Sequence, residues 1–404
     1  MIVNIEKSKA QGQIAAPPSK SMAHRLLICA AMCDGISTVT GVSDCDDVAA
    51  TIDCLESLGA EIEISDGVAT VKGTNMLKAS ASSPLCCRES GSTLRFLIPI
   101  ALLSGKNALF YGADSLMQRP MDIYRDLAKE KKMSFLADGN SIAVMGPLPH
   151  GEYEVVGNIS SQFISGLLFA LPNLKGDSRI SISSSIESKS YIDLTIEALK
   201  IFGVSIVWEN ESTLYIKGAQ KFTPCITTVE GDYSGAAFTE ALNLFGGNVD
   251  VIGLNENSIQ GDKVYRRFFE MLKTGVPTIH IGNCPDLGPI LFAIAAAKHG
   301  GVFTGTRRLK IKESDRAAAM ADELKKFGVS VTVHDDKVIV YPADFHAPTE
   351  ILNGHNDHRI VMSLAILSTI TGGKIEGAEA INKSYPSFFD DLITLGIGIT
   401  QNEA

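Results

Sequence analysis

The sequence predicts a mixed α/β protein of two domains, built from six β-α-β-α-β-β units, three to a domain. Three observations predict it. One pattern keeps returning: an amphipathic helix that often stops at a glycine, then two short strands joined by a polar turn. Between the copies lie further helices that are apolar nearly all round, a pattern that calls for burial on every side. The length, 404 residues, exceeds what one hydrophobic core accommodates.

The copies run as follows. Residues 52–72 (IDCLESLGAEIEISDGVATVK) give the first, with its helix stopping at Gly59. The second, 123–145, lacks the glycine, and the third, 194–217, stops at Gly203. A truncated fourth occupies 268–281 (FFEMLKTGVPTIHI), the fifth 320–340 and the sixth 388–400. The intervening helices are expected at 23–32, 92–103, 161–171, 234–244, 289–298 and 357–367. The natural boundary between the two three-unit halves lies near 227–231.

A net charge of −10 counts against a general nucleic-acid binder, though not against a small basic pocket. Residues 1–14 are mixed and charged, without the apolar core of a signal peptide. The apolar run at 289–297 is far too short to span a bilayer. The eight cysteines show no CxxC or zinc spacing and read as reduced thiols of a cytoplasmic protein. No HxxxH or HExxH pair occurs among the eight histidines, so no metal site is expected.

Chemistry gathers where helices begin. Arg307-Arg308-Leu309-Lys310-Ile311-Lys312-Glu313-Ser314-Asp315-Arg316 packs five cations and two central carboxylates ahead of a helix that Ser314 or Asp315 would cap. Cations at a helix N-terminus suit an anion, because free backbone N–H groups point the same way. Alone, such a run is more often a solvated face. Partners elsewhere shift the balance. Ser19-Lys20-Ser21-Met22-Ala23-His24-Arg25 places a hydroxyl and two cations at another helix start, without the glycine spacing of a Walker A loop. Glu89-Ser90-Gly91-Ser92-Thr93-Leu94-Arg95 repeats the idea, and Gln118-Arg119-Pro120 adds an arginine at a loop-to-helix junction. Asn158-Ile159-Ser160-Ser161-Gln162 and Ser188-Lys189-Ser190-Tyr191 supply uncharged donors. Asp286 precedes a buried helix, Asn356-Asp357-His358-Arg359 opens another, and Lys383 stands in Asn382-Lys383-Ser384-Tyr385-Pro386. Each is weak alone, since serine-rich helix starts are common for capping reasons. Four or five together, each opening a helix in a different repeat, are harder to dismiss as caps alone.

In this order the motifs Lys20-Ser21…Arg25, Ser-Gly-Ser-Thr-x-Arg, Gln-Arg-Pro, Ser-Ser-Gln, Lys-Glu-Ser-Asp-Arg and Asn-Asp-His-Arg resemble those of the EPSP synthase (3-phosphoshikimate 1-carboxyvinyltransferase) family, across nearly the whole chain. The resemblance implies an inside-out α/β barrel in each of two domains, one formed by 1–18 with 229–404 and carrying the acid/base residues, the other by 19–228. It implies an active site in the cleft. The reaction it implies moves the enolpyruvyl group of phosphoenolpyruvate to the 5-hydroxyl of shikimate 3-phosphate and releases phosphate, with no cofactor, because C2 becomes electrophilic once C3 is protonated.

Carried over by motif, Lys20, Ser21, Arg25, Ser160, Ser161, Gln162, Ser188, Tyr191, Asp286 and Lys312 would hold shikimate 3-phosphate. Lys20, Gly91, Ser92, Arg95, Arg119, Gln162, Arg316, His358, Arg359 and Lys383 would surround phosphoenolpyruvate. Asp286 is the expected base on the 5-hydroxyl with Lys312 beside it, and Glu313 the expected proton donor to C3. Lys20 is also counted with the catalytic group. A cytoplasmic monomer, with no nucleic-acid or membrane partner, is expected. Four positions depart from the family's pattern: Glu89 for Asn, Phe96 for Pro after the arginine, Pro18 for Gly, and Arg308 where some members carry Asn. The sister transferase acting on UDP-N-acetylglucosamine carries Lys-Asn where this chain has Lys20-Ser21. A non-catalytic anion-binding module is disfavoured because Asp286 and Glu313 would weaken its grip.

Overall fold

A computed structural model describes residues 1–402. The chain divides into two compact units, one formed by 1–19 and 231–404, the other by 20–230. Each has its own hydrophobic core.

The unit 20–230 contains helices α1 (Lys20–Ala31), α2 (Asp46–Ser57), α3 (Gly91–Ala101), α4 (Asp114–Met117), α5 (Asp122–Glu130), α6 (Ser161–Ala170) and α7 (Lys189–Ile201). Three four-stranded sheets go with them. In the sheet Leu85–Cys86, Asn107–Tyr111, Ser141–Met145, Ser134–Ala137 the first two strands are parallel, and the last two form an antiparallel hairpin. Parallel neighbours need a crossover, and α3 supplies it. The sheets built around Ser178–Ile182 and Ile36–Thr40 repeat this order. In the latter, the outer strand comes from Ile226–Thr228, far along the chain.

The other unit contains α8 (Tyr233–Ala241), α9 (Tyr265–Thr274), α10 (Gly288–Ala297), α11 (Arg316–Lys326), α12 (His358–Thr371) and α13 (Phe388–Thr394). Its sheet around Gly301–Thr304 has the same order. A second sheet is completed by Ile2–Ile5, which lies antiparallel between Gly373–Glu376 and Ile399–Asn402. The third has two strands only, Gln11–Ala15 parallel to Asn248–Ile252. This is the truncated copy. After α9, Gly275 is extended (φ −175°), and the strand Thr278–His280 runs straight on to open the next sheet.

Helices lie inside and sheets outside within each unit. Helices α1, α3 and α6, like α8, α10 and α12, are buried along almost their whole length. The strand Asn107–Tyr111 alternates exposed and buried residues, one face to the core and one to water. The fold class read from the sequence is therefore the one observed. The glycines that end the helices of the first, third, fifth and sixth copies have φ between 80° and 104°. In the second copy Lys132 takes that left-handed place at φ 58°, so the turn forms without the residue that announces it.

Among the described residues, no helix is long and apolar enough to cross a membrane. No group of three or more His, Cys, Asp or Glu side chains among them is arranged for a metal ion. All eight cysteines are free.

The close approach of α3 and α6 positions two of the site helices. Gly166 makes it possible: a Cβ there would land on the Tyr124 hydroxyl and the Arg95 carbonyl. That hydroxyl bridges the two helices, donating to the carbonyls of Arg95 (2.7 Å) and Phe163 (3.0 Å). Gly166→Ala is expected to destabilise the protein by about 1–3 kcal/mol, the usual effect of overpacking. Urea denaturation measures it; an unchanged midpoint would show that α6 moves away freely.

Candidate active site

In the unit 20–230 the expected ligands stand at helix starts. Helix α1 begins at Lys20, so Ser21 lies in its first turn and buried Ser19 precedes it. Lys20 Nζ is 2.7 Å from Asp47 Oδ2 at the start of α2. Arg25, one turn further, is buried. Its Nε donates to Thr195 Oγ1 (2.8 Å), and its terminal nitrogens to the carbonyls of Ser21 (2.6 Å) and Tyr191 (3.0 Å). The guanidinium also lies over the Phe96 ring, 5.0 Å from its centroid. These partners are all uncharged, and burial pushes Arg25 down to about 10. A buried cation without a carboxylate is a standing demand for an anion.

Ser90 caps α3 by accepting from the Thr93 N–H, and Ser160 caps α6 by accepting from the Gln162 N–H. Arg95 Nη1 donates to Gln162 Oε1 at 2.7 Å, and Gln162 Nε2 donates to Ser92 Oγ at 3.0 Å. Arg119 belongs to the same group, since a Cβ on Gly91 would sit 2.9 Å from Arg119 Nη1 and 3.4 Å from Arg95 Nη1. Gly91 thus leaves room for those guanidinium groups beside the N-terminus of α3. Ser161 opens α6. Ser188 precedes α7 with φ 57° and makes no side-chain cap there, contrary to the capping role expected for a serine at a helix start.

In the other unit one guanidinium collects three carboxylates. Arg316, at the first position of α11, has 1% of its side chain exposed. Its Nη1 is 2.8 Å from Asp286 Oδ1, Nη2 is 2.6 Å from Glu313 Oε2, and Nε is 2.8 Å from Asp357 Oδ2. Lys312 Nζ adds a contact to Asp286 Oδ1 at 3.1 Å, and Arg359 Nη2 one to Asp286 Oδ2 at 3.3 Å. Burial alone would push the Asp286 carboxyl up. The charges of Arg359, Lys312 and Arg316 outweigh it and hold Asp286 well below the usual carboxylate range. Burial pulls the Lys312 ammonium down by more than Asp286 returns. His358 is buried at the first position of α12, and Lys383 Nζ donates to the Asn356 carbonyl at 2.5 Å.

The ten-residue cationic run is not one site. Arg307 and Lys310 turn outward to Asp335, at 3.1 Å each. Buried Arg308 donates to the Gly282 carbonyl at 3.4 Å. From this run, Lys312 and Arg316 join Asp286. The reason is local: 307–311 forms a 3-10 turn whose side chains fan round the axis. Asp315, one of the two expected caps, does cap α11, accepting from the Ala318 N–H.

Several contributing residues carried no distinctive signal. Asp47, which holds Lys20, reads as an ordinary acidic residue in a first helical turn. Asp357 was visible only as part of a motif, yet it caps α12, accepts from Ser314 Oγ at 3.0 Å and anchors Arg316. Ser234, at the start of α8, accepts from Arg359 Nη1 at 2.7 Å. Thr195 is a mid-helix threonine that only packing brings to Arg25.

Comparison with known proteins agrees with this arrangement of motifs. The model of the EPSP synthase (3-phosphoshikimate 1-carboxyvinyltransferase) family matches residues 5–392. A 3-phosphoshikimate 1-carboxyvinyltransferase of Clostridium kluyveri is 38% identical over 420 aligned residues, covering 98% of this chain and 97% of that protein. One from Clostridium perfringens strain 13 is 39% identical over 423, covering 99% of each. In fold, the chain is similar to an EPSP synthase from Acinetobacter baumannii (TM-score 0.79, 23% identity, 99% of this chain and 100% of that one). It is also similar to the enolpyruvyl transferase NikO from Streptomyces tendae (TM-score 0.75, 14% identity, 100% and 99%). With a family model spanning nearly its full length and relatives this similar end to end, the chain belongs to the EPSP synthase family.

Proposed function

We propose that this chain transfers the enolpyruvyl group of phosphoenolpyruvate to the 5-hydroxyl of shikimate 3-phosphate, releasing inorganic phosphate. The observation that carries the reading is that one buried guanidinium, Arg316, holds both Asp286 and Glu313. An addition followed by an elimination needs such a pair, a base and an acid fixed with respect to each other.

Asp286, kept ionised by three cations, takes the proton of the 5-hydroxyl as its oxygen attacks C2 of phosphoenolpyruvate. Glu313 delivers a proton to C3, so that C2 is electrophilic when attacked. The new methyl group then returns a proton to Glu313 as the C2–O bond to phosphate breaks, and the departing phosphate takes up the proton that Asp286 drew from the hydroxyl. An anion arriving on Arg316 competes with Glu313 for that guanidinium, which frees Glu313 to carry a proton. Lys312 steadies Asp286 and the hydroxyl oxygen.

Shikimate 3-phosphate takes its phosphate charge to Arg25, Lys20 and the hydroxyl and amide groups of Ser21, Ser160, Ser161, Gln162, Ser188 and Tyr191. Phosphoenolpyruvate uses Lys20, Arg95, Arg119, Gln162 and the N-terminus of α3 at Gly91-Ser92 in one unit. In the other it uses Arg316, His358, Arg359 and Lys383. Preorganised charges of this kind stabilise the developing charge without rearranging.

The deciding experiment is a phosphate-release assay with phosphoenolpyruvate and either shikimate 3-phosphate or UDP-N-acetylglucosamine. Release with the shikimate ester alone is expected; release with the sugar nucleotide alone would overturn the reading. In the same assay, Asp286→Asn and Glu313→Gln should each lower kcat by at least about a hundredfold while substrate binding largely survives. Near-normal turnover of either variant removes it from the acid–base pair.

Lys312 gives a pH test. Burial draws its ammonium below an ordinary lysine, so the charge it lends to Asp286 is lost at lower pH than an ordinary lysine would lose it. The alkaline limb of kcat/KM should therefore fall earlier than an ordinary lysine allows. In Lys312→Arg, which keeps its charge, the limb should move upward. A limb that stays in place would assign it to another group.

A further inference from the structure

The turn that delivers Asp357 and Arg359 is held in an unfavourable backbone conformation. His355 and Asn356 are consecutive left-handed residues, with φ 49° and 50°, and neither is glycine. Something must hold them there. Next to the turn lies Glu323, two turns along α11 from Arg316 and with 2% of its side chain exposed. None of the roles assigned above uses it. Its carboxylate accepts from the Asn353 N–H (2.9 Å), from His355 Nε2 (3.0 Å) and from Lys326 Nζ (2.9 and 3.0 Å). Asn353 in turn accepts the His355 N–H on its side-chain oxygen at 2.6 Å. The anchor therefore grips the turn at its start, by backbone and side chain together.

The far end of the turn meets the active-site cluster. The Asn356 carbonyl receives Lys383 Nζ at 2.5 Å. The Asp357 N–H closes the turn on the Gly354 carbonyl at 2.9 Å, and its carboxylate meets Arg316 and the Arg359 N–H. A hydrophobic side chain at 323 would fill the buried space but leave the turn unheld. A buried carboxylate, by contrast, is stable only with such partners.

We propose that Glu323 and His355 are positioning residues, whose hydrogen bond locks the left-handed pair His355-Asn356 and so sets Lys383 and Asp357 for the anion that Arg316 and Arg359 receive. What that anion is rests on the function proposed above; the clamp itself does not. It acts through the backbone and touches no substrate.

Two substitutions at one position separate clamping from filling. His355→Ala loses the anchor and keeps a side chain that disfavours a left-handed φ. His355→Gly loses the anchor too, but glycine adopts that φ freely. The KM for phosphoenolpyruvate, read by phosphate release, should rise about tenfold or more in His355→Ala, with the KM for shikimate 3-phosphate within about twofold of wild type. His355→Gly should recover a good part of the loss. A merely structural histidine predicts the reverse order, since glycine loosens a loop more than alanine does. Amide hydrogen exchange across 354–359 reads the same clamp with no substrate present. Exchange should be about tenfold faster in His355→Ala and in Glu323→Gln than in wild type.

If the wild type releases no phosphate, the functional reading fails, and exchange alone decides the clamp. Unchanged exchange in both variants overturns the proposal. So does an active wild type whose His355→Ala variant keeps its KM, or a glycine variant no better than the alanine one.

Discussion

The charged cluster of one unit depends on a single buried cation, Arg316. Arg316 has no water to turn to, and its three nitrogens are spread over Asp286, Glu313 and Asp357, residues from three separate stretches of chain. Burial would favour the neutral form, yet the three carboxylates raise its affinity for the proton above that of a free arginine. Removing any partner leaves a charge stranded in a poor solvent, so the group holds together as a whole. The fork of the guanidinium fixes direction as well as distance, which a lysine could not do. Three cations, Arg316, Lys312 and Arg359, face three carboxylates in this cluster.

The other unit solves the problem differently. There the cations are held by neutral groups: Arg25 by a hydroxyl, two carbonyls and an aromatic face, and Arg95 by the Gln162 amide, the Pro120 carbonyl and the Phe163 ring. Lys20 has a carboxylate at its side, Asp47 on a neighbouring helix. Neutral partners orient a guanidinium without cancelling its charge. Phe96, the residue after Arg95, supplies the ring over which the Arg25 guanidinium lies.

Much of this was legible because the repeat speaks twice, in hydrophobic period and in turn chemistry. Where the two agreed, as at Gly59 and Gly203, helix and hairpin could be read directly. Lys132 shows the limit, since tertiary packing imposed a left-handed residue with no local signal. The motifs marked Lys20, Arg95, Arg316 and Arg359, because several cations at helix starts are rare enough to notice. Their supports were not legible. Asp47, Thr195 and Ser234 are common residues in common places, and their importance comes from what long-range packing sets beside them. Within the ten-residue cationic run, adjacency says nothing about direction, because the turn at 307–311 rotates successive side chains apart.

The strand Ile2–Ile5 is made well before either strand that flanks it, because Gly373–Glu376 and Ile399–Asn402 come from the far end of the numbering. Gln11–Ala15 waits in the same way for Asn248–Ile252. A ribosome emits residues in order, so both segments must remain unpaired while the whole 20–230 unit emerges. That unit has its own core and depends on no earlier strand. During synthesis the chain thus assembles its middle before its beginning, and the leading strands spend that interval as exposed edges in search of a sheet that does not yet exist.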